Sequence, residues 1–410
     1  MNEHVQSSAS APLFDPLAPE FIRDPYPFYA RLRETDPMHV TSFGSIVASR
    51  HAEASLVLRD KRFGKDFVSR TQRRYGPDIM EQPVFRSMSH WMLQQDPPDH
   101  TRLRGLVIKA FTARRIEDMR PRIQEIVDQT LDALAPRGEA DLIEDFAHRL
   151  PVTVICDMLG IPDEHREAFY KRSGDGGRLL EPVPLSPQEI AQGNAGHAMS
   201  QAYFQNLFEL RRRNPGDDLT SQLLQAEEDG AKLSYEELTA NIILLFGAGH
   251  ETTVNLIGNG LLALHRNPDQ LALLKARPEL IGNAIEEFLR YDSSVQMTGR
   301  VALEEIEDLG GRRIPKGETV LCLLGSANHD PAVYPDRPGQ LDITRPNVKP
   351  LSFGGGIHFC LGAQLARIEA EVAIATLLRR LPELALDDPH NPDWRPTFVL
   401  RGLKRLPASW

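Results

Sequence analysis

The run from Ser234 to Arg266 is the longest helical pattern in the chain, and whatever the chain folds into must be built around it. Ser234 and Glu237 make a capping box at its start. Asn267-Pro268 ends it, because proline has no N–H to give and its ring clashes with the preceding turn. At about 1.5 Å per residue such a helix spans roughly 50 Å, enough to cross a molecule of this size. Its middle breaks the pattern, with Phe246-Gly247-Ala248-Gly249-His250-Glu251-Thr252-Thr253. Glycine inside a helix costs about 1 kcal/mol relative to alanine. Glu251 and Thr252 put an acid and a hydroxyl beside that weak point, and the Thr252 hydroxyl can bond the Ala248 carbonyl and bend the helix. Two readings stand here. The helix opens locally and leaves room over a flat ligand, or the glycines let a neighbouring element approach closely.

A second stretch, Phe353-Gly354-Gly355-Gly356-Ile357-His358-Phe359-Cys360-Leu361-Gly362, leads into an amphipathic run from Ala363 to Leu381 that reads as a helix. The lone thiol therefore sits at the mouth of a helix, where unpaired N–H groups and the helix dipole favour a thiolate. Free cysteine is ordinarily a small buried hydrophobe. Cys156, in the apolar run Val152–Leu159, and Cys322, in Val320–Leu324, read that way and not as a disulfide pair. There is no C-x-x-C, and His358 with Cys360 offers too few ligands for zinc.

The net charge of −10 argues against nucleic acid as the main partner. No apolar run reaches membrane-spanning length, which predicts no membrane span. Met1 to Pro12 is polar, without a basic or apolar signal segment, so residues 1–14 read as a disordered tail and the protein as cytoplasmic. His250-Glu251 has no second histidine at position 254, which excludes the zinc-protease pattern. No phosphate-binding G-K-[ST], dinucleotide glycine pattern, flavin segment or iron–sulfur segment occurs.

Elsewhere the chain reads as helices at Pro27–Thr35, His51–Leu58, from Asp99, within Arg120–Leu159, twice within Pro162–Arg213 and at Leu280–Tyr291. Short strands are expected in His39–Ala48, Thr298–Ala302 and Ile306–Leu324. Phe63 to Met92 shows no sustained period and reads as a solvated loop. Gly174–Pro187 is rich in Gly, Pro and Leu and is expected to be mobile. His100 and Arg104 lie four apart after Pro97-Pro98 and share one helix face, a pair of donors for acceptor oxygens. Arg102, Lys109, Arg114 and Arg115 add positive charge nearby. Glu287 and Arg290, three apart, read by default as an exposed pair worth about 0.2–0.5 kcal/mol.

The motifs F-x-x-G-x-x-x-C-x-G (Phe353 to Gly362), A-G-x-E-T (Ala248 to Thr252), E-x-x-R (Glu287 to Arg290) and R-x-A (Arg300 to Ala302) stand in an order and spacing that resembles the cytochrome P-450 family, soluble bacterial type. The resemblance runs from Asp15 to Pro407 and implies one haem-thiolate domain over 15–410, mainly α with smaller β-sheets, shaped like a triangular prism with the long helix over the haem. It implies Cys360 as the axial iron ligand of haem b. Phe353, Gly354, Gly362 and Ala248 become haem-contacting positions, and His100, Arg104, Arg300 and His358 become propionate ligands. Thr252 and Glu251 take the oxygen-activating and proton-relaying roles. Glu287 and Arg290 become a buried structural pair. In the family a later arginine joins that pair; here Gln340 stands at its expected place, with Arg337 three residues earlier. Leu244, Leu245, Val295, Met297, Val399 and Leu400 are the expected lining of an apolar substrate pocket.

The implied activity is insertion of one atom of O2 into a C–H bond of a largely apolar small molecule by a monomeric enzyme. Electrons would come from a separate ferredoxin and its NAD(P)H-dependent reductase, with the local basic patch docking the acidic partner. A peroxide-driven haem enzyme and a non-catalytic haem carrier are the alternatives. The Glu251–Thr252 pair argues against the first, and the second has no use for it.

Overall fold

In a computed structural model, residues 13–170, 177–228 and 233–410 are described. The central helix runs without interruption from Tyr235 to Arg266, and both halves of the Ser234–Glu237 capping box are formed. Its two halves lie in different apolar clusters. Val254 to Leu264 pack with the helices Arg120–Leu134, Ile281–Tyr291 and Ala363–Arg380. Leu238, Ile242, Leu244 and Leu245 pack with Arg149–Leu159 and with Phe204, Leu207 and Phe208 of Pro187–Arg213. Between the two cores lies the glycine-containing stretch, where Gly247 and Ala248 are exposed.

This resolves the two readings of that stretch, and each glycine has its own answer. A Cβ on Gly249 would lie 3.1 Å from Ile155 Cδ1, so this glycine permits close packing of Arg149–Leu159. A Cβ on Gly247 would meet nothing within 4 Å. The helix does not break; the open space comes from missing side chains. Thr252 Oγ1 donates to the Ala248 carbonyl at 3.0 Å, as its spacing predicted.

A five-stranded sheet takes the order Met38–Val40, Ile46–Ala48, Thr319–Leu323, Met297–Ala302, Phe63–Gly64. Ile46–Ala48 pairs parallel with Thr319–Leu323, and the other pairs are antiparallel. This register sets Arg300 opposite Val320 and carries Met297 and Arg300 on the same strand. A three-stranded sheet joins Glu139–Asp141, Pro407–Ser409 and Ala385–Leu386, and Ile306–Leu309 pairs with Arg312–Ile314 as a hairpin.

Three expectations need correction. The stretch from Phe63 to Met92 contains the helices Phe67–Tyr75 and Pro83–Met88 with a 3-10 turn at Pro77–Glu81 between them. The first has the polar sequence FVSRTQRRY and buries only Phe67 and Thr71, too few positions to show a period. Of the tail expected over residues 1–14, residues 1–12 lie outside the described residues, but Phe14 is buried. Its ring meets Phe21 at 5.4 Å and Phe398 at 5.6 Å, both edge-on. Of the segment expected to be mobile, residues 174–176 lie outside the described residues. The rest forms a 3-10 turn at Gly177–Leu180 and is tied down at Leu185, whose N–H donates to the Tyr75 hydroxyl at 2.9 Å.

Candidate active site

The cysteine loop is held by its own backbone. Gly354 and Gly356 sit at φ +70° and +65°, in the region glycine tolerates and other residues resist. A Cβ on Gly356 would also strike the Leu58 carbonyl, so the loop crosses the helix His51–Arg59 at backbone distance. The Cys360 N–H donates to the Phe353 carbonyl at 3.0 Å, and the Arg367 guanidinium lies 4.5 Å from the Phe353 ring centroid. The helix begins at Ala363 with Gly362 as its N-cap.

Cys360 is exposed, whereas Cys156 and Cys322 are buried, as their apolar surroundings predicted. Burial pushes the thiols of Cys156 and Cys322 up to about 12. In the protein alone, burial opposes the thiolate that the helix mouth favours at Cys360. Enough protein crowds the sulfur that desolvation raises its pKa, against the pull of the Gly362 N–H, Arg104 and Arg367. Desolvation outweighs the helix terminus, and a cation at the sulfur would reverse the balance.

Beside this loop four cationic or ionisable side chains converge. His100, on the helix Asp99–Val107, is 3% exposed, and its ring centroid lies 4.3 Å from that of His358. Arg300 is also 3% exposed. Arg104 donates to the Phe359 carbonyl at 2.8 Å, tying its helix to the cysteine loop. The sequence reading missed a fifth residue. Lys65 is as buried as Arg300, and its Nζ donates to the Gly299 carbonyl at 3.2 Å. A single lysine inside a stretch without periodicity gives no local signal; only pairing of Phe63–Gly64 with Val301 and Ala302 brings it to Arg300.

The electrostatics of this cluster are one-sided. Asp96 is the nearby carboxylate, and its oxygens accept the backbone N–H groups of Lys65 and Asp66 at 2.9 Å. Burial, then Arg300 and Arg70, hold Lys65 well below its ordinary pKa. His358 is pushed far down by burial and by Lys65, Arg300, His100 and Arg104. Its Nε2 is buried without a hydrogen-bond partner among the described residues. Buried cations without matching anions are costly. This cluster is therefore shaped for a ligand that brings its own carboxylates. A thiol, a cationic cluster and a side-chain-free stretch of the central helix together fit a haem, with sulfur for the iron and donors for the propionates.

On the central helix Glu251 Oε1 lies 3.5 Å from Arg395 Nη1. Val295, Met297, Val399 and Leu400 come together in one apolar cluster, with Val295 bridged antiparallel to Leu400. Leu244 and Leu245, expected beside them, are buried in the separate cluster under Pro187–Arg213.

Glu287 and Arg290 are both fully buried, in place of the exposed pair that spacing alone predicts. Arg290 donates to Glu287 through Nε and Nη2, each at 2.7 Å. The third partner is Arg345, whose Nε lies 3.3 Å from Glu287 Oε1. Gln340 contributes its backbone carbonyl, which accepts from Arg290 at 2.9 Å and from Arg345 at 3.1 Å. Its side chain accepts from the exposed Arg337, which joins the cluster only through its own carbonyl, an acceptor for Arg345. In the basic patch, Arg102 is taken up by Glu237 and Asp99.

Fold and site together define a haem-thiolate protein. Comparison with known proteins makes the class specific. The sequence model of the Cytochrome P450 family matches residues 194–276 and 275–405. The cytochrome P450 monooxygenase PikC of Streptomyces venezuelae is 44% identical over 98% of this chain and 96% of its own. Vitamin D(3) 25-hydroxylase of Pseudonocardia autotrophica is 42% identical over 95% of this chain and 94% of its own. The crystal structure of P450BioI with hexadec-9Z-enoic acid-ligated acyl carrier protein superposes with a TM-score of 0.88 at 40% identity, covering 95% of this chain and 100% of that one. The chain belongs to the cytochrome P450 family and is an enzyme of its monooxygenase class. Membership carries with it a haem-thiolate iron, O2 and a redox partner. Among the described residues no helix is long and apolar enough to cross a membrane.

Proposed function

We propose that the enzyme hydroxylates a largely apolar small molecule, using haem b bound through Cys360 and electrons from a ferredoxin and its reductase. The observation that carries this reading is the exposed Cys360 thiol beside a buried cationic cluster, with an uncrowded stretch of the central helix carrying Glu251 and Thr252. Haem held there supplies the reductive activation of O2. His100, Arg104, Arg300, His358 and Lys65 hold its two propionates. Phe353, Gly354, Gly362 and Ala248 give it flat surface. Glu251 carries protons in from solvent, steadied by Arg395, and Thr252 passes them on from a hydroxyl that otherwise rests on the Ala248 carbonyl.

The apolar substrate is supported by the cluster of Val295, Met297, Val399 and Leu400. Vitamin D(3) and a hexadecenoyl chain, the ligands in the relatives' names, have the same character. Lys109, Arg114 and Arg115, exposed on a chain of net charge −10, suit an acidic ferredoxin. The test is the reduced CO spectrum, followed by NADPH-driven turnover with a ferredoxin and reductase. Wild type is expected to show the red-shifted band of a thiolate haem and Cys360→Ser to lose it. An unchanged band in Cys360→Ser would refute the ligand. Turnover with peroxide alone, or none with any redox pair, would transfer the reading to the peroxide-driven or the non-catalytic alternative.

A further inference from the structure

The segment after Gly177 lies across a turn near the C-terminus formed by Thr397, Phe398, Val399 and Leu400. On one side this turn is tied to residues 294–296. The Gln296 N–H donates to the Val399 carbonyl at 2.9 Å, and the Arg401 N–H donates to the Ser294 carbonyl at 2.8 Å. On the other side it is tied to one side chain. Glu181 is 5% exposed, and its Oε1 accepts the N–H of Phe398 at 2.8 Å and of Val399 at 3.0 Å. Glu181 Oε2 is buried with no partner among the described residues. Four residues earlier, a Cβ on Gly177 would lie 3.5 Å from Glu251 Oε1 and 3.6 Å from Leu400 Cδ1. The segment thus touches both the apolar wall and the acid of the central helix.

We propose that Glu181 is a positioning residue for substrate, clamping this segment onto the turn so that Val399 and Leu400 present a fixed wall to the pocket. The proposal rests on the pocket reading given above. A buried carboxyl that satisfies two turn N–H groups gives the turn one conformation; without it both donors would be orphaned. The clamp also carries a pH dependence. Burial pushes the Glu181 carboxyl from an ordinary 4.5 up to about 7, against the two N–H groups and Arg178. Arg178 itself is engaged by Glu189 at 2.6 Å. The other groups around it are Tyr29 of Tyr26–Thr35, the Arg401–Asp292 pair at 2.8 Å and the Glu251–Arg395 pair. Because the clamped carboxyl titrates above the free one, clamping takes up a proton between these two values. The clamp is therefore strongest in acid and weakens as pH rises towards and through about 7.

The test uses the haem-loaded protein as wild type, Glu181→Ala, Glu181→Asp and Glu181→Gln. Two quantities are read: amide hydrogen exchange at Phe398 and Val399, and dissociation of 4-phenylimidazole followed in the Soret band. In Glu181→Ala both are expected to accelerate about tenfold or more. Glu181→Gln, which keeps a neutral acceptor, should stay within about twofold of wild type in mild acid and lose the wild-type acceleration as pH rises. Wild-type exchange rates in Glu181→Ala, or a Glu181→Gln as loose as Glu181→Ala, would overturn the proposal. Where Glu181→Ala fails to fold, Glu181→Asp decides, since it keeps the carboxyl but shortens the reach, and unaltered exchange there overturns the clamp. Exchange needs no haem, so a protein that takes up no haem and shows no Soret band would sink the haem reading and leave the clamp to be judged on its amides.

Discussion

Replacing Glu287 by glutamine changes one atom's chemistry and should be among the most damaging isosteric substitutions in the molecule. The carboxylate is fully buried and accepts from Arg290 Nε, Arg290 Nη2, Arg345 Nε and the Asp342 N–H. The amide can keep an oxygen toward only one side. Turned toward Arg345 and Asp342, it sets its NH2 against Arg290 Nε, donor against donor. Two guanidiniums are then left buried without a carboxylate, with only the amide oxygen and neutral backbone carbonyls to accept from them: Asn328, Pro338 and Gln340 for Arg290, and Asp336, Arg337 and Gln340 for Arg345. Removing one partner of a buried pair costs about 3–5 kcal/mol, a large fraction of the about 5–15 kcal/mol that stabilises a typical domain. The exposed Arg313–Glu305 pair is the control, and its loss should cost at most about 1 kcal/mol. Urea unfolding followed by far-UV circular dichroism on both variants makes the comparison. A Glu287→Gln loss no larger than that of Glu305→Gln would refute the argument, because it would mean the carbonyl cage alone carries the two arginines. Haem content should fall in parallel, since Arg290 and Arg345 fix the 328–345 stretch that precedes the cysteine loop.

Three further outcomes follow from the same geometry. Lys65→Met should act with opposite signs on the two forms of the protein. The haem-free form gains thermal stability by losing a buried charge, while haem leaves about ten- to a hundredfold faster for want of one charge-assisted bond of about 1.5–3 kcal/mol; haem transfer to apomyoglobin and thermal melts read both. The two central glycines should also diverge. Gly249→Val, crowding Ile155, is expected to destabilise by about 1–3 kcal/mol, whereas Gly247→Ala, with nothing in its way, should gain up to about 1 kcal/mol in the haem-free form, measured by denaturant titration. Thr252→Ala should keep the thiolate CO band yet divert NADPH electrons into peroxide; unchanged product yield per NADPH would remove Thr252 from the proton path.

What was legible in the sequence was what neighbours along the chain decide together. The central helix could be bounded at both ends because Ser234 with Glu237 and Asn267 with Pro268 are local signals, and the structure keeps both boundaries. The cysteine loop was legible because its glycines encode backbone geometry that the φ angles confirm. The residues that escaped are single charges whose meaning lies far away in the chain. Lys65 finds Gly299 across 234 positions, Arg345 finds Glu287 across 58, and Glu181 finds Phe398 across 217. A lone charge reads as solvated surface unless something shows it to be buried, and burial is a property of the fold.

The same distinction applies at Cys360. The helix mouth behind Cys360 is a local feature and was read correctly, but the desolvation that opposes it comes from the whole pocket. Both halves of the site are strained in the same sense. Burial raises the thiol's pKa although the chemistry needs its anion, and it lowers those of Lys65 and His358 although carboxylates are best held by cations. A ligand that brings both a metal cation and two carboxylates would relieve both at once. The binding free energy of such a ligand therefore includes the relief of desolvation already built into the folded chain. It follows that substitutions which make the haem-free protein more comfortable, Lys65→Met first among them, should make it a poorer host.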